Sequence, residues 1–122
     1  MSYKDRRDFS VLLGKTLTGI NVSDDYIIFT TSEGDKYRQF HDQNCCESVY
    51  IDDICGDVND LLHSPILLAE EVSNYNDPPK DTYNDSYTWT FYKLSTNKGS
   101  ATIRWYGTSN GYYSESVEFE QL

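Results

Sequence analysis

Residues 87–107 read Y-T-W-T-F-Y-K-L-S-T-N-K-G-S-A-T-I-R-W-Y-G. From Tyr87 to Thr96, and again from Ser100 to Gly107, large apolar and small polar side chains alternate with the period of two by which a strand sends successive residues to opposite faces. The N-K-G between them (97–99) is turn chemistry, with a glycine free to take a positive φ. The stretch therefore predicts an antiparallel hairpin. A second turn, T-S-N-G (108–111), leads into a third run, Tyr112 to Gln121, and completes a meander. In that register Trp89, Phe91, Ile103, Trp105, Val117 and Phe119 form one packed layer, and Thr88, Thr90, Thr102, Arg104, Glu118 and Glu120 face the other way.

Working outward, a second meander is expected near the N-terminus. Lys15 to Val22, Tyr26 to Thr31 and Lys36 to His41 have strand character and are separated by S-D-D and S-E-G-D. In the second of these runs Ile27 and Phe29 share a face. In the third, Tyr37, Gln39 and His41 share one face and Lys36, Arg38 and Phe40 the other. Ahead of them, Asp8 or Ser10 can cap a short helical turn through Phe9 to Leu13 that Gly14 ends. Ser48 to Ile54 alternates as a strand does but also fits a helical spacing through Val49, Asp53 and Asp57; we read it as extended. Asp57 is a good N-cap, Asp60 sits where the helix dipole favours a carboxylate and Pro65 is a stop, which predicts a short acidic helix of about two turns. Ile66 to Val72 is read as a strand and residues 74–86 as a long exposed loop. The fold class expected is α+β: two antiparallel meanders forming one curved sheet or a partly open barrel, with the acidic helix between them, in a single domain spanning 1–122.

Charge is distributed unevenly. Residues 1–41 carry six Lys/Arg against six Asp/Glu and residues 86–122 three against three, whereas residues 42–85 carry eleven Asp/Glu against Lys80 alone, so the whole net charge of −10 lies in the middle third. Such a field repels nucleic acid and anionic membrane and attracts basic surfaces, including those that grip phosphate backbones. The opening M-S-Y-K-D-R-R-D lacks the apolar core of a signal peptide, and no run approaches the ~18 apolar residues of a membrane helix. A cytoplasmic protein with reduced thiols is expected.

Three stretches, N-C-C-E-S-V-Y-I (44–51), Y-T-W-T-F-Y-K-L (87–94) and T-I-R-W-Y-G-T-S-N-G-Y-Y-S-E-S-V (102–117), resemble those of a family of small uncharacterised acidic proteins encoded by phages, prophages and bacterial genomes. The similarity runs from about Leu13 to the end, leaving residues 1–12 and the loop near 76–84 as variable parts. The resemblance carries over no catalytic or binding residue. It implies a context, the host cell, and a class of accessory factors that bind and block host proteins, including defence nucleases.

Two chemistries compete for the remaining signals. His41, Cys45, Cys46 and Glu47 are potential metal ligands, and His41 is a potential base for a cysteine nucleophile. Adjacent cysteines diverge in an extended chain, however, and the acidic neighbourhood works against a reactive thiolate, so a structural role is expected for the pair. Asp52, Asp53, Asp57 and Asp60 lack the spacing of a calcium loop. One arginine, Arg104, beside Trp105 and Tyr106 cannot neutralise enough phosphates for direct nucleic-acid binding. The expected function is a non-enzymatic interaction protein, an inhibitor of the anti-CRISPR or anti-restriction type, without cofactor. It would meet a basic host protein through Asp52, Asp53, Asp57, Asp60, Glu70, Glu71, Tyr75 and Tyr83. The alternative is a small metal- or cysteine-dependent enzyme centred on His41, Cys45 and Cys46.

Overall fold

The structure, a computed structural model, describes residues 6–43, 46–74, 86–110 and 114–122. Among the described residues eight strands form two four-stranded antiparallel sheets. β1 (Leu17–Val22), β2 (Tyr26–Thr31), β3 (Lys36–Phe40) and β8 (Glu118–Gln121) make the first, in the order β1-β2-β3-β8. β4 (Ser48–Gly56), β5 (Leu68–Asn74), β6 (Ser86–Thr96) and β7 (Gly99–Ser109) make the second, in the order β4-β7-β6-β5. The protein is thus mostly β. The expected α+β class and the single curved sheet or partly open barrel give way to two separate sheets that enclose a common core.

Local chemistry explains the short elements. Gly34, at φ +93°, turns β2 into β3, as its place in S-E-G-D predicts. The expected acidic helix is instead a single 3₁₀ turn, Val58–Leu61, capped by the Asp57 side chain, which accepts from the Asn59 N–H at 2.9 Å. It ends at once because Leu62 leaves to bridge Leu17 of β1, and the His63 N–H donates to the Leu17 carbonyl at 2.8 Å. The turn buries Leu61 completely. The N-terminal turn is likewise a 3₁₀ turn, Phe9–Leu12, and among the described residues there is no longer helix. Phe9 enters the space between the sheets, where its ring lies 4.7 Å from Tyr92, 5.2 Å from Phe119 and 6.2 Å from Phe29 in edge-on contacts.

Two sequence expectations about the C-terminal meander are corrected by the pairing. The third strand does not lie beside β7: β8 crosses to the first sheet and pairs with β3, Gln39 opposite Phe119. Nor do the two tryptophans share a face. β6 pairs with β7 so that Trp105 lies opposite Thr90 and Ile103 opposite Tyr92, whereas Trp89 lies opposite Tyr106 and Phe91 opposite Arg104. Residues opposite each other across an antiparallel pair share a face. Trp105, Ile103, Tyr92 and Leu94 therefore face the core between the sheets, and Trp89, Tyr106 and Phe91 share the opposite face with Tyr50 of β4, where Trp89 and Tyr106 are also buried. Phe119 does reach the core, from the opposite sheet, stacked 5.4 Å from Tyr37. Glu120, expected on the face opposite the packed layer, is buried and held by Arg38 at 2.5 Å.

The pairing of Tyr92 with Glu71 makes a test of this packing. The Tyr92 hydroxyl donates to Glu71 Oε1 at 2.5 Å, and burial first, then the Glu71 charge, push the phenol far above its ordinary value of 10.0. The fold thus favours the neutral phenol. Its contribution is full below pH 10.0, where the unfolded chain also holds the proton, and is lost as the pH rises above it. Denaturant melts between about pH 9 and 11 should show wild-type stability falling more steeply than that of Tyr92→Phe, by up to ~1.4 kcal/mol per pH unit. Parallel slopes would show that Tyr92 ionises freely in the folded protein.

Candidate functional site

The acidic residues expected to form one surface are divided by the second sheet. β4 and β5 are its two edges, three strand spacings or ~14 Å apart. On the β4 side a bulge between Ile51 and Asp53 turns Asp52 toward β7, where its Oδ2 accepts from Arg104 Nε at 2.9 Å and Nη2 at 2.6 Å. Asp52 is therefore neutralised inside the fold and is unavailable to a partner. Asp53 is exposed, accepts from the Ile54 N–H and lies 3.9 Å from the same guanidinium. Asp57 is exposed at the cap, and Asp60 packs its carboxylate against Gly99, where an added Cβ would come within 2.8 Å. On the β5 side Glu70 faces outward opposite Lys93, while Glu71 alternates to the inner face opposite Tyr92. Tyr75 and Tyr83 lie outside the described residues.

The stretch around the cysteines is anchored by polar contacts. His41 Nδ1 lies 2.6 Å from the Ser116 carbonyl and Nε2 lies 2.7 Å from Glu47 Oε2, with both side chains almost fully buried. Gln43 Nε2 donates to the Glu47 carbonyl at 2.7 Å. Both imidazole nitrogens are thus engaged by oxygen atoms within the fold. Among the described residues no group of three His, Cys, Asp or Glu side chains gathers around a common point. Cys46 is disulfide-bonded, against the expectation of reduced thiols, whereas Cys55 is free and exposed, its Sγ 3.6 Å from Asp53 Oδ2. Cys45 lies outside the described residues.

A feature with no local signature in the sequence is a cavity of about 310 Å³ at one end of the space between the sheets. Its walls come from the inner faces of β5 and β6 (Glu71, Ser73, Ser86, Thr88, Thr90) and from the segment 114–117 that leads into β8. Glu115 is buried, and its two oxygens accept from Thr88 Oγ1 at 2.7 Å and Ser109 Oγ at 2.6 Å. Gly107 makes this possible: a Cβ there would stand 3.0 Å from both the Cβ and the carbonyl oxygen of Glu115. In sequence, S-E-S-V (114–117) reads as one more alternating strand, and the hydroxyl partner Thr88 lies far away along the chain.

The model of a domain family of unknown function, DUF7448, matches residues 10–119. The chain belongs to the DUF7448 family. That span includes both sheets as far as Phe119 and every lining residue of the cavity, so the site is part of the DUF7448 domain itself. No curated protein and no solved structure matches the chain. No helix among the described residues is long and apolar enough to cross a membrane.

Proposed function

We propose that this DUF7448 protein is a non-enzymatic binding protein that presents carboxylates to a basic surface on a partner protein. What supports the reading is the fate of three of its four arginines. Arg6 is drawn to Glu118 at 2.7 Å, Arg38 to Glu120 at 2.5 Å and Arg104 to Asp52 at 2.6 Å, and Arg6 and Arg38 both lie over the Phe40 ring. These cations are consumed inside the protein, while Asp53, Asp57 and Glu70 face solvent and the net charge is −10. A field of that sign accelerates encounter with basic partners and competes with phosphate backbones for them. The resemblance to small phage- and prophage-encoded proteins directs the proposal to an inhibitor of a host protein, of the kind that blocks a defence nuclease in the host cytoplasm.

The test uses a variant that spares the fold. Asp53→Asn and Asp57→Asn keep the acceptor oxygens that bond Ile54 and Asn59, and Glu70→Lys reverses a carboxylate that bonds nothing among the described residues. Together they move the net charge from −10 to −6, one unit for each asparagine and two for the lysine. Partners captured from host lysate should be released by added salt and by duplex DNA, and the triple variant should associate about tenfold more slowly at low salt. Association at the wild-type rate would make the acidity a solubility feature.

A further inference from the structure

The inter-sheet cavity has an unusual balance of donors and acceptors. Glu115 is buried at 8% exposure, with two hydroxyl donors and no cation partner among the described residues. Glu71, on the facing wall, accepts from Tyr92 through Oε1, and its second oxygen bonds nothing among the described residues. Burial and the Glu71 charge keep the Tyr92 phenol protonated, so it remains a donor to that carboxylate. Because the protons of Thr88 and Ser109 are spent on Glu115, the hydroxyl oxygen that Thr88 turns to the cavity offers lone pairs. Among the described residues no Lys, Arg or His lines the space, and Val117 supplies an apolar wall.

From this geometry we infer that the cavity is a binding site for an organic cation head group, a guanidinium or a primary ammonium, seated between Glu71 and Glu115. A guanidinium brings five N–H donors and an ammonium three, with no acceptor on either, which complements a wall of carboxylate and hydroxyl oxygens. The positive charge supplies a counterion, of which Glu115 has none among the described residues. A volume of about 310 Å³ is at the lower end of small-ligand pockets, enough for such a head group and a short alkyl stem along Val117. A divalent metal fits less well, since hard cations need six or more oxygens and several carboxylates, and two carboxylates line the space among the described residues. The head group can belong to a free small molecule or to an Arg or Lys side chain of another protein. The inference stands apart from the proposal for the outer surface, because it concerns inner-face residues that the triple variant leaves untouched.

The experiment titrates the whole protein with n-butylguanidinium, n-butylammonium and the neutral isostere n-butylurea, followed by backbone amide chemical shifts and calorimetry. Saturable binding of either cation, with shifts centred on Thr88, Thr90, Glu115 and Val117 and at least tenfold weaker for the urea, is the expected result. Glu115→Gln and, as a variant on the more accessible wall, Glu71→Gln should each weaken it tenfold or more. A five-residue peptide with a central arginine, set against the same peptide with citrulline, separates the sources. Comparable binding of butylguanidinium and peptide assigns the site to a free molecule, and binding of the arginine peptide alone assigns it to a partner's side chain. Equal binding of the urea, saturation by calcium ions in place of the organic cations, or the absence of saturation by both cations and peptide would each overturn the proposal.

Discussion

Trp105→Ala is expected to destabilise the protein more than any other single truncation of an aromatic residue. The indole is completely buried, and its Nε1–H donates to Gln39 Oε1 across the core at 2.7 Å. Truncation of a buried tryptophan costs ~3–5 kcal/mol through lost burial and the cavity left behind. Here it also strips the last partner from Gln39, a fully buried amide whose Nε2 has none among the described residues, adding ~1–3 kcal/mol for an orphaned polar group. A marginal domain would not remain folded after both losses. Trp105→Phe separates the two contributions, since it keeps most of the ring and removes only the donor. Pairing it with Gln39→Leu, which abolishes the orphan, should recover stability relative to Trp105→Phe in chemical denaturation. If the double variant were no more stable than Trp105→Phe alone, the hydrogen bond would have no energetic role. Trp89→Ala, on the opposite face of β6 against Tyr106 and Arg104, should cost less because Trp89 lies outside the core cluster between the sheets.

Gly56→Ala is the second large effect. Gly56 has φ +95° at the end of β4, and a Cβ built there stands 2.4 Å from the Ser100 carbonyl oxygen and 3.0 Å from the Ala101 Cα. Both neighbours are backbone, so nothing flexible can yield. Left-handed strain of ~1–3 kcal/mol and a steric penalty of similar size together predict a loss on the order of 3–5 kcal/mol. Gly34→Ala is the control: its φ of +93° is nearly the same, but nothing lies within 4 Å of the added Cβ. It should show the conformational part alone, ~1–2 kcal/mol. Equal midpoints for the two variants in urea would mean that β7 shifts to accommodate the methyl group.

The parts of this fold that were legible in the sequence are those decided by local chemistry. The spans Tyr26–Thr31 and Lys36–Phe40 and the glycine turn between them follow from alternation and S-E-G-D, and the hairpin through N-K-G follows in the same way. What alternation does not contain is the identity of the neighbour. β8 has the right period for a third meander strand, yet it pairs with β3, and no pattern within residues 112–121 distinguishes the two outcomes. The face assignment of β6 failed because apolar residues occupy both parities: Trp89 and Phe91 on one, Tyr92 and Leu94 on the other. Asp57 marked the start of a turn, but Pro65 did not set its end, which comes at Leu61 because Leu62 reaches β1, a contact 45 positions back along the chain at Leu17. The acidic residues are close in sequence, yet the sheet places Asp53 and Glu70 on opposite edges. The cavity was invisible for the same reason, since Glu115 meets Thr88 27 positions away.

The crossing of β8 to the first sheet also sets an order of events in folding. The pair Phe40 and Glu118 is separated by 78 positions, whereas β2 and β3 close around a turn of a few residues. Bringing such distant segments together costs chain entropy before any contact returns it, so β1, β2 and β3 can assemble early and then wait. During that wait the backbone of β3 is an open edge and the Tyr37 ring lacks the Phe119 ring that later stacks on it. An unpaired edge beside an exposed aromatic is the kind of surface through which partly folded chains join one another. The four residues Glu118–Gln121 therefore act as an intramolecular clasp, and at high protein concentration refolding becomes a race between that clasp and strand exchange with a neighbouring chain.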